Sequence, residues 1–227
     1  ACGWATDPDA LAKAARNAFG DEGPDYVWYT AGGNDLAGDS AYHSCLAAAK
    51  TDADARECLV AGNGRLMTCT VALLEGLWKA FPEAKVGQYN YEVACVSTTE
   101  CLEATSQFIG GAYCNGDIAC IVTQLKFWQT IYVDALQAKY PQPKYTGMNI
   151  LGAVQEASGV SGASRGYPAL TGGAKCSWMV ACVHPKYGTP TATAVGTAMW
   201  DLWLANATAV GAHSSSIGSG SVLVEAY

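Results

Sequence analysis

The sequence predicts an α/β domain with a mostly parallel sheet, on three observations. Short runs rich in β-branched and aromatic residues alternate with longer amphipathic helical segments, and strands separated by helices pair in parallel. The chain has 227 residues, 50% of them hydrophobic, and only 15% charged. That supplies one sizeable core in one domain. Proline and glycine punctuate the helical segments at their ends, and no internal repeat is present.

The elements follow in order. Asp7-Pro8 reads as a helix N-cap with proline at the first helical position. Leu11, Ala14, Ala15, Ala18 and Phe19 then recur at helical spacing up to Gly20. Residues 25–30 read as a buried strand closed by a Gly-rich turn at 32–33. A second helix is expected over 65–81, with Leu66, Thr70, Leu73, Leu74, Leu77, Trp78 and Phe81 on one stripe and Pro82 as its stop. Residues 86–93 form the next strand candidate. A third helix is expected over 118–140, ended by Pro141 and Pro143, and a third strand over 145–151. Residues 156–183, rich in Gly, Ser and Ala, read as a long loop that is functional or pinned by disulfides. Thr189-Pro190 caps a last helix carrying Val195, Met199, Leu202 and Trp203. A tail of small residues follows, and 221–227 reads as one more apolar strand.

Composition excludes several classes of function. Net charge is −7 and the 13 Lys and Arg are scattered, which argues against nucleic acid or an anionic membrane as partner. No apolar stretch is long enough to cross a bilayer as a helix. Ten cysteines, an even count without a Cys-x-x-Cys, and three histidines not spaced for metal ligation predict disulfides rather than zinc. Cys114–Cys120 and Cys176–Cys182 are the short-loop candidates, and the other pairings stay open. Disulfides place the chain in the secretory pathway or outside the cell, and Asn206-Ala207-Thr208 is a glycosylation sequon that suits that setting. Seven Trp and twelve Tyr offer a lectin-like surface, but most lie on helix or strand stripes and read better as core. No cofactor and no metal site is implied.

Two stretches carry possible chemistry. A strand, Tyr26-Val27-Trp28-Tyr29, runs into Gly32-Gly33-Asn34-Asp35, and His184-Pro185 precedes the last helix. With Gly3-Trp4-Ala5-Thr6 ahead of the first helix, this arrangement resembles the SGNH (GDSL-type) hydrolase family over residues 3–205. The resemblance implies a three-layer α/β/α fold with a flavodoxin-like sheet. Its domain would be residues 1–206, with 207–227 a small-residue tail holding a terminal strand. It also implies a secreted serine esterase or lipase acting on acyl or acetyl esters of lipid or glycan. Ester hydrolysis builds a tetrahedral oxyanion, which needs amide and backbone N–H donors aimed at it. Asn34 would be the side-chain donor, Gly3 a backbone donor, Asp35 the holder of the turn, and His184 the general base.

The pattern departs from the family at two positions. The family's Gly-Asp-Ser nucleophile block precedes the Gly3 block, so the serine is expected upstream of Ala1, either in an N-terminal fragment of the same precursor that stays bound or in sequence that this chain does not include. The triad Asp, three residues before the His, is replaced by Ala181. Gly38-Asp39-Ser40 does not substitute, because it shares a loop with Gly32–Asp35 and reads as a helix N-cap, with His43 on that helix's surface. A chain without the family's first strand would expose a sheet edge, unless the strand at 221–227 fills the gap. The alternative to a hydrolase is a non-catalytic extracellular module, structural or glycan-binding, that kept the fold.

Overall fold

The computed structural model describes residues 1–7, 9–30, 32–101, 111–209 and 221–225. Pro8 and the tail from 210 to 220, both named above, lie outside them. In chain order the elements are α1 (Ala10–Phe19), β1 (Tyr26–Thr30), α2 (Gly33–Ala37), α3 (Ser40–Ala48), α4 (Asp52–Ala80), β2 (Lys85–Tyr89), α5 (Gly111–Cys114), α6 (Ile118–Trp128), α7 (Ala135–Lys139), β3 (Tyr145–Met148), α8 (Ala153–Ala157), β4 (Met179–Val180), β5 (His184–Pro185), α9 (Pro190–Ala209) and β6 (Ser221–Glu225).

Strands β3, β2, β1 and β6 lie side by side in that order, all parallel. The α/β class with a parallel sheet therefore holds. β6 pairs with β1 from Tyr26↔Ser221 to Thr30↔Glu225. The edge of β1 expected to be bare is thus covered by the C-terminal strand.

The side-chain alternation of β1 feeds two separate cores, as period-2 geometry requires of a strand covered on both faces. Val27 and Tyr29 join one cluster with Leu11, Leu59, Leu73, Leu77, Val86, Trp128 and Tyr145, drawn from α1, α4, α6 and the neighbouring strands. Tyr26 and Trp28 pack against the other, formed by Met148, Ile150, Val154, Val195, Met199 and Trp203. Each such large side chain removed from water contributes about 1.5–3 kcal/mol. On the α9 face, a Cβ at Gly87 would stand 2.8 Å from the Trp203 ring, so the glycine in mid-strand lets the indole seat directly on the backbone.

The helix α4 begins thirteen residues before the expected start. Thr51 and Asp54 form a capping box there, with Asp54 N–H donating to Thr51 Oγ1 at 3.2 Å and Thr51 N–H to Asp54 Oδ2 at 2.9 Å. Its first half buries Ala55, Cys58, Leu59, Gly62 and Asn63. Leu59 apart, those residues are too small or polar to register as an apolar stripe, which is why the sequence hides that half. The third helix covers the expected span but changes pitch, with a π-helical Gln129–Asp134 joining α6 and α7. Buried Asn63 donates to the Ile131 carbonyl at 3.0 Å and accepts from Trp128 Nε1 at 3.3 Å. The wider turn thus finds a partner for a carbonyl that it releases.

All ten cysteines are paired, as Cys2–Cys69, Cys45–Cys58, Cys95–Cys176, Cys101–Cys182 and Cys114–Cys120. The expected Cys176–Cys182 bridge is corrected. Cys176 precedes the β4–β5 hairpin and Cys182 sits in its tip, and each reaches across to the segment after β2. The long loop begins two residues later than expected, since α8 runs to Ala157, and it is pinned at its far end by these two bridges. Among the described residues, no helix is long and apolar enough to cross a membrane. Five disulfides are compatible with an oxidising, secretory setting.

Candidate active site at the carboxyl rim of the sheet

In parallel sheets, ligands bind beyond the carboxyl ends of the strands. At that end of β1, Gly32 takes φ +122°, and α2 starts at Gly33. The expected turn is therefore a turn leading straight into a short helix. A Cβ at Gly32 would fall 2.7 Å from Leu66, and one at Gly33 would fall 2.4 Å from the Tyr91 ring. Neither position accepts a side chain. Asn34 is exposed in the first turn of α2. Asp35 is turned the other way: its two oxygens accept the Ala1 nitrogen at 2.6 Å and the Cys2 N–H at 2.7 Å. Asp35 therefore holds residues 1 and 2 against α2. Gly3 itself is exposed in helical conformation, and the backbone N–H that meets the Asp35 carboxylate is that of Cys2.

His184 reaches the rim on the β4–β5 hairpin, where Val180 pairs with His184. Val183 N–H donates to the Val180 carbonyl at 3.2 Å, and the two residues at the tip, Ala181 and Cys182, have φ +46° and +67°. The connection has three residues between the Val180↔His184 pair, and two of them in succession are left-handed, a conformation normally given to Asn or Gly. Here the Cys101–Cys182 bridge and the Cys95 N–H to Cys182 carbonyl bond at 2.9 Å hold it in place. Ala181→Gly is expected to raise stability by about 1 kcal/mol by relieving the left-handed alanine. Urea unfolding of the two proteins checks this.

Tyr91 joins the two halves. Its ring lies on Gly33, stacks on Trp128 at 6.1 Å and faces the His184 ring at 5.8 Å. Burial, and then the negative charge of Asp35, raises its phenol above the ordinary value, so the ring stays neutral and keeps its proton. The structure thus brings Asn34, Asp35 and His184 to one rim, with Tyr91 between the Gly33 turn and the imidazole.

The segment Asn90-Tyr91-Glu92 was missed by the sequence reading, which ran the strand through it to residue 93. The ladder stops at Tyr89. Asn90 is buried, its carbonyl oxygen accepts the Tyr91 N–H at 2.8 Å, and its amide nitrogen has no partner among the described residues. Glu92 is wholly buried. Its carboxylate accepts N–H bonds from Gly152 at 3.0 Å, Ala153 at 3.1 Å, Val154 at 3.4 Å and its neighbour Val93 at 3.2 Å. It therefore ties the exit of β2 to the exit of β3. Desolvation pushes its pKa up to about 7, against these bonds, which pull the other way. The only signal in the sequence was a lone acid in an otherwise apolar run.

Gly38-Asp39-Ser40 forms the start of a helix, as its sequence suggested. Asp39 accepts the N–H of Ala41 at 3.0 Å and of Tyr42 at 3.2 Å, and Ser40 is the first residue of α3. His43 Nε2 lies 2.7 Å from the Ala37 carbonyl, an engagement that turns it from Ser40. The sulfurs of Cys95, Cys101 and Cys176 lie within 4.8 Å of one another, but all are in S–S bonds and offer no thiolate to a metal. Comparison of the chain with protein-family models, with curated proteins and with solved structures finds no match.

Proposed function

We propose that the chain is an extracellular ester hydrolase domain of SGNH type, with a three-layer flavodoxin-like fold, acting on acyl or acetyl esters of lipid or glycan. The observation that carries this reading is the meeting of the Gly33-Asn34 turn and His184 at one Tyr91 ring, beyond the carboxyl end of β1. Asn34 supplies an exposed amide for a developing oxyanion. His184 takes the proton of a serine. That serine is not Ser40, which opens α3 behind the Asp39 cap. β6 occupies the position beside β1 that the resemblance gives to the nucleophile strand, so the fold is a rearranged form of the family's sheet. No cofactor is required.

The test is hydrolysis of p-nitrophenyl acetate by the full-length gene product. Asn34→Ala is expected to lower kcat by on the order of 10²–10³-fold, and His184→Ala to lower it further with little change in KM. Equal rates in all three proteins would remove the assignment.

A second reading is favoured by one observation. Ala181, which stands where the family has its triad Asp, occupies the strained tip of the hairpin and leaves His184 without a carboxylate from that position. In that reading the domain is a non-catalytic glycan-binding or structural module, and no esterase activity appears in the full-length product.

A further inference from the structure

We propose that a groove along the first half of α9 binds a chain of neutral sugars. The groove has a volume of about 960 Å³, at the upper end of the roughly 300–1,000 Å³ typical of ligand cavities. Its walls carry Glu156, Ser164, Arg165, Thr193, Thr197 and Asp201. Arg165 Nη1 meets Asp201 Oδ2 at 2.9 Å, tying the wall formed by the 158–175 loop to α9.

Two tight turns bound the groove, and each presents a tyrosine to solvent. In the first, Ser164 and Tyr167 exchange backbone bonds of 2.8 and 3.1 Å around Arg165-Gly166. This turn sits on Gly152, where a Cβ would come within 2.4 Å of the Ser164 carbonyl. In the second, Thr189 N–H donates to the Lys186 carbonyl at 3.2 Å around Tyr187-Gly188. Ser164, Arg165, Gly188 and Thr189 line the groove. Tyr167 is 75% exposed and Tyr187 97% exposed, so neither contributes to the core. Solvent-facing aromatic rings on the turns that bound the groove, hydroxyls in its walls and a guanidinium–carboxylate pair match the chemistry of a sugar, which offers apolar C–H faces for stacking and hydroxyls for hydrogen bonding.

Charge selects among glycans. The Arg165 cation is matched by Asp201, and Glu156 leaves an excess of one negative charge (one cation against two carboxylates). Sulfated chains and uronic acids are therefore disfavoured, and neutral chains fit. The groove opens four residues beyond His184, at Gly188, and its Ala153 wall is fixed by Glu92. The inference does not rest on the hydrolase reading.

The test is isothermal titration of the chain with cellohexaose, xylohexaose and chitohexaose, with heparin and polygalacturonate as anionic comparisons. At least one neutral hexasaccharide is expected to bind saturably. Tyr187→Ala and Arg165→Ala, both at exposed positions and checked for folding by circular dichroism, are each expected to weaken it about tenfold, the equivalent of one aromatic contact. His184→Ala is expected to leave binding unchanged, which separates this site from the rim. Absence of binding to all three hexasaccharides, binding that survives both groove substitutions, or preference for the polyanions would overturn the proposal.

Discussion

Breaking both bridges that pin the His184 hairpin, with Cys95→Ala/Cys176→Ala and Cys101→Ala/Cys182→Ala together, is expected to lower the unfolding free energy by about 7.5 kcal/mol. That is comparable with the whole stability of a domain of this size, so the quadruple variant should be unfolded or nearly so at 37 °C. The reasoning concerns the unfolded chain. Each bridge spans a sequence separation of 81, and closing one loop of that length removes about 4.5 kcal/mol of chain entropy. The two bridges run in parallel between the same two segments. Once one is closed, the other closes only a circuit of roughly 14 residues, worth about 3 kcal/mol. Either bridge removed alone should therefore cost about 3 kcal/mol, less than half of the joint loss. The double-mutant cycle should show a coupling of about 1.5 kcal/mol. Urea unfolding of the two single-bridge variants and the quadruple variant measures it. Additive losses would mean that the bridges act locally on the native state and not through the shared loop.

The second large effect is at Glu92. Glu92→Ala leaves the N–H groups of Gly152, Ala153 and Val154 buried without their acceptor, at a cost of about 3–5 kcal/mol. The wild-type group also makes stability pH-dependent. Its pKa is raised from 4.5 to about 7 in the folded protein, so between those values the folded state binds more protons than the unfolded state. Its contribution is complete below pH 4.5 and is lost as pH rises through about 7. The linkage predicts a decline of about 3 kcal/mol between pH 4.5 and pH 8. Asp7 and Asp54 have lowered values through their surface hydrogen bonds, and they act below their ordinary pKa, outside this window. Urea midpoints at pH 4.5 and pH 8 should differ in wild type and converge in Glu92→Gln, which cannot titrate. A wild-type midpoint that rises with pH across this range would show that the four N–H bonds hold Glu92 ionised.

What the sequence made legible was whatever rests on local chemistry. The strand 26–30, the Asp39 cap, the stops at Phe81 and Lys139 and the apolar face of α9 all follow from periodicity and turn residues, and the structure has each of them. The first half of α4 was illegible because it buries Ala, Gly and Asn against α2, α3 and the π segment, and small or polar residues leave no apolar period. Of the two short-loop disulfides, Cys114–Cys120 was legible, while Cys176 and Cys182 are close in sequence but pair across the molecule with Cys95 and Cys101, a consequence of tertiary placement alone. At the site, Gly32–Asp35 and His184 stood out by type and position. Tyr91 and Glu92 did not, since a tyrosine and a glutamate after a strand have no local signature. Their importance comes from the Gly33 turn, the hairpin and the exit of β3 converging on them from distant parts of the chain.

The most direct test of the rim as an esterase centre is labelling of the full-length gene product with a fluorophosphonate probe. The account predicts one covalently modified serine, with labelling lost in His184→Ala and kept in His43→Ala. Labelling that persists in His184→Ala, or a full-length product that takes up no probe, would contradict it.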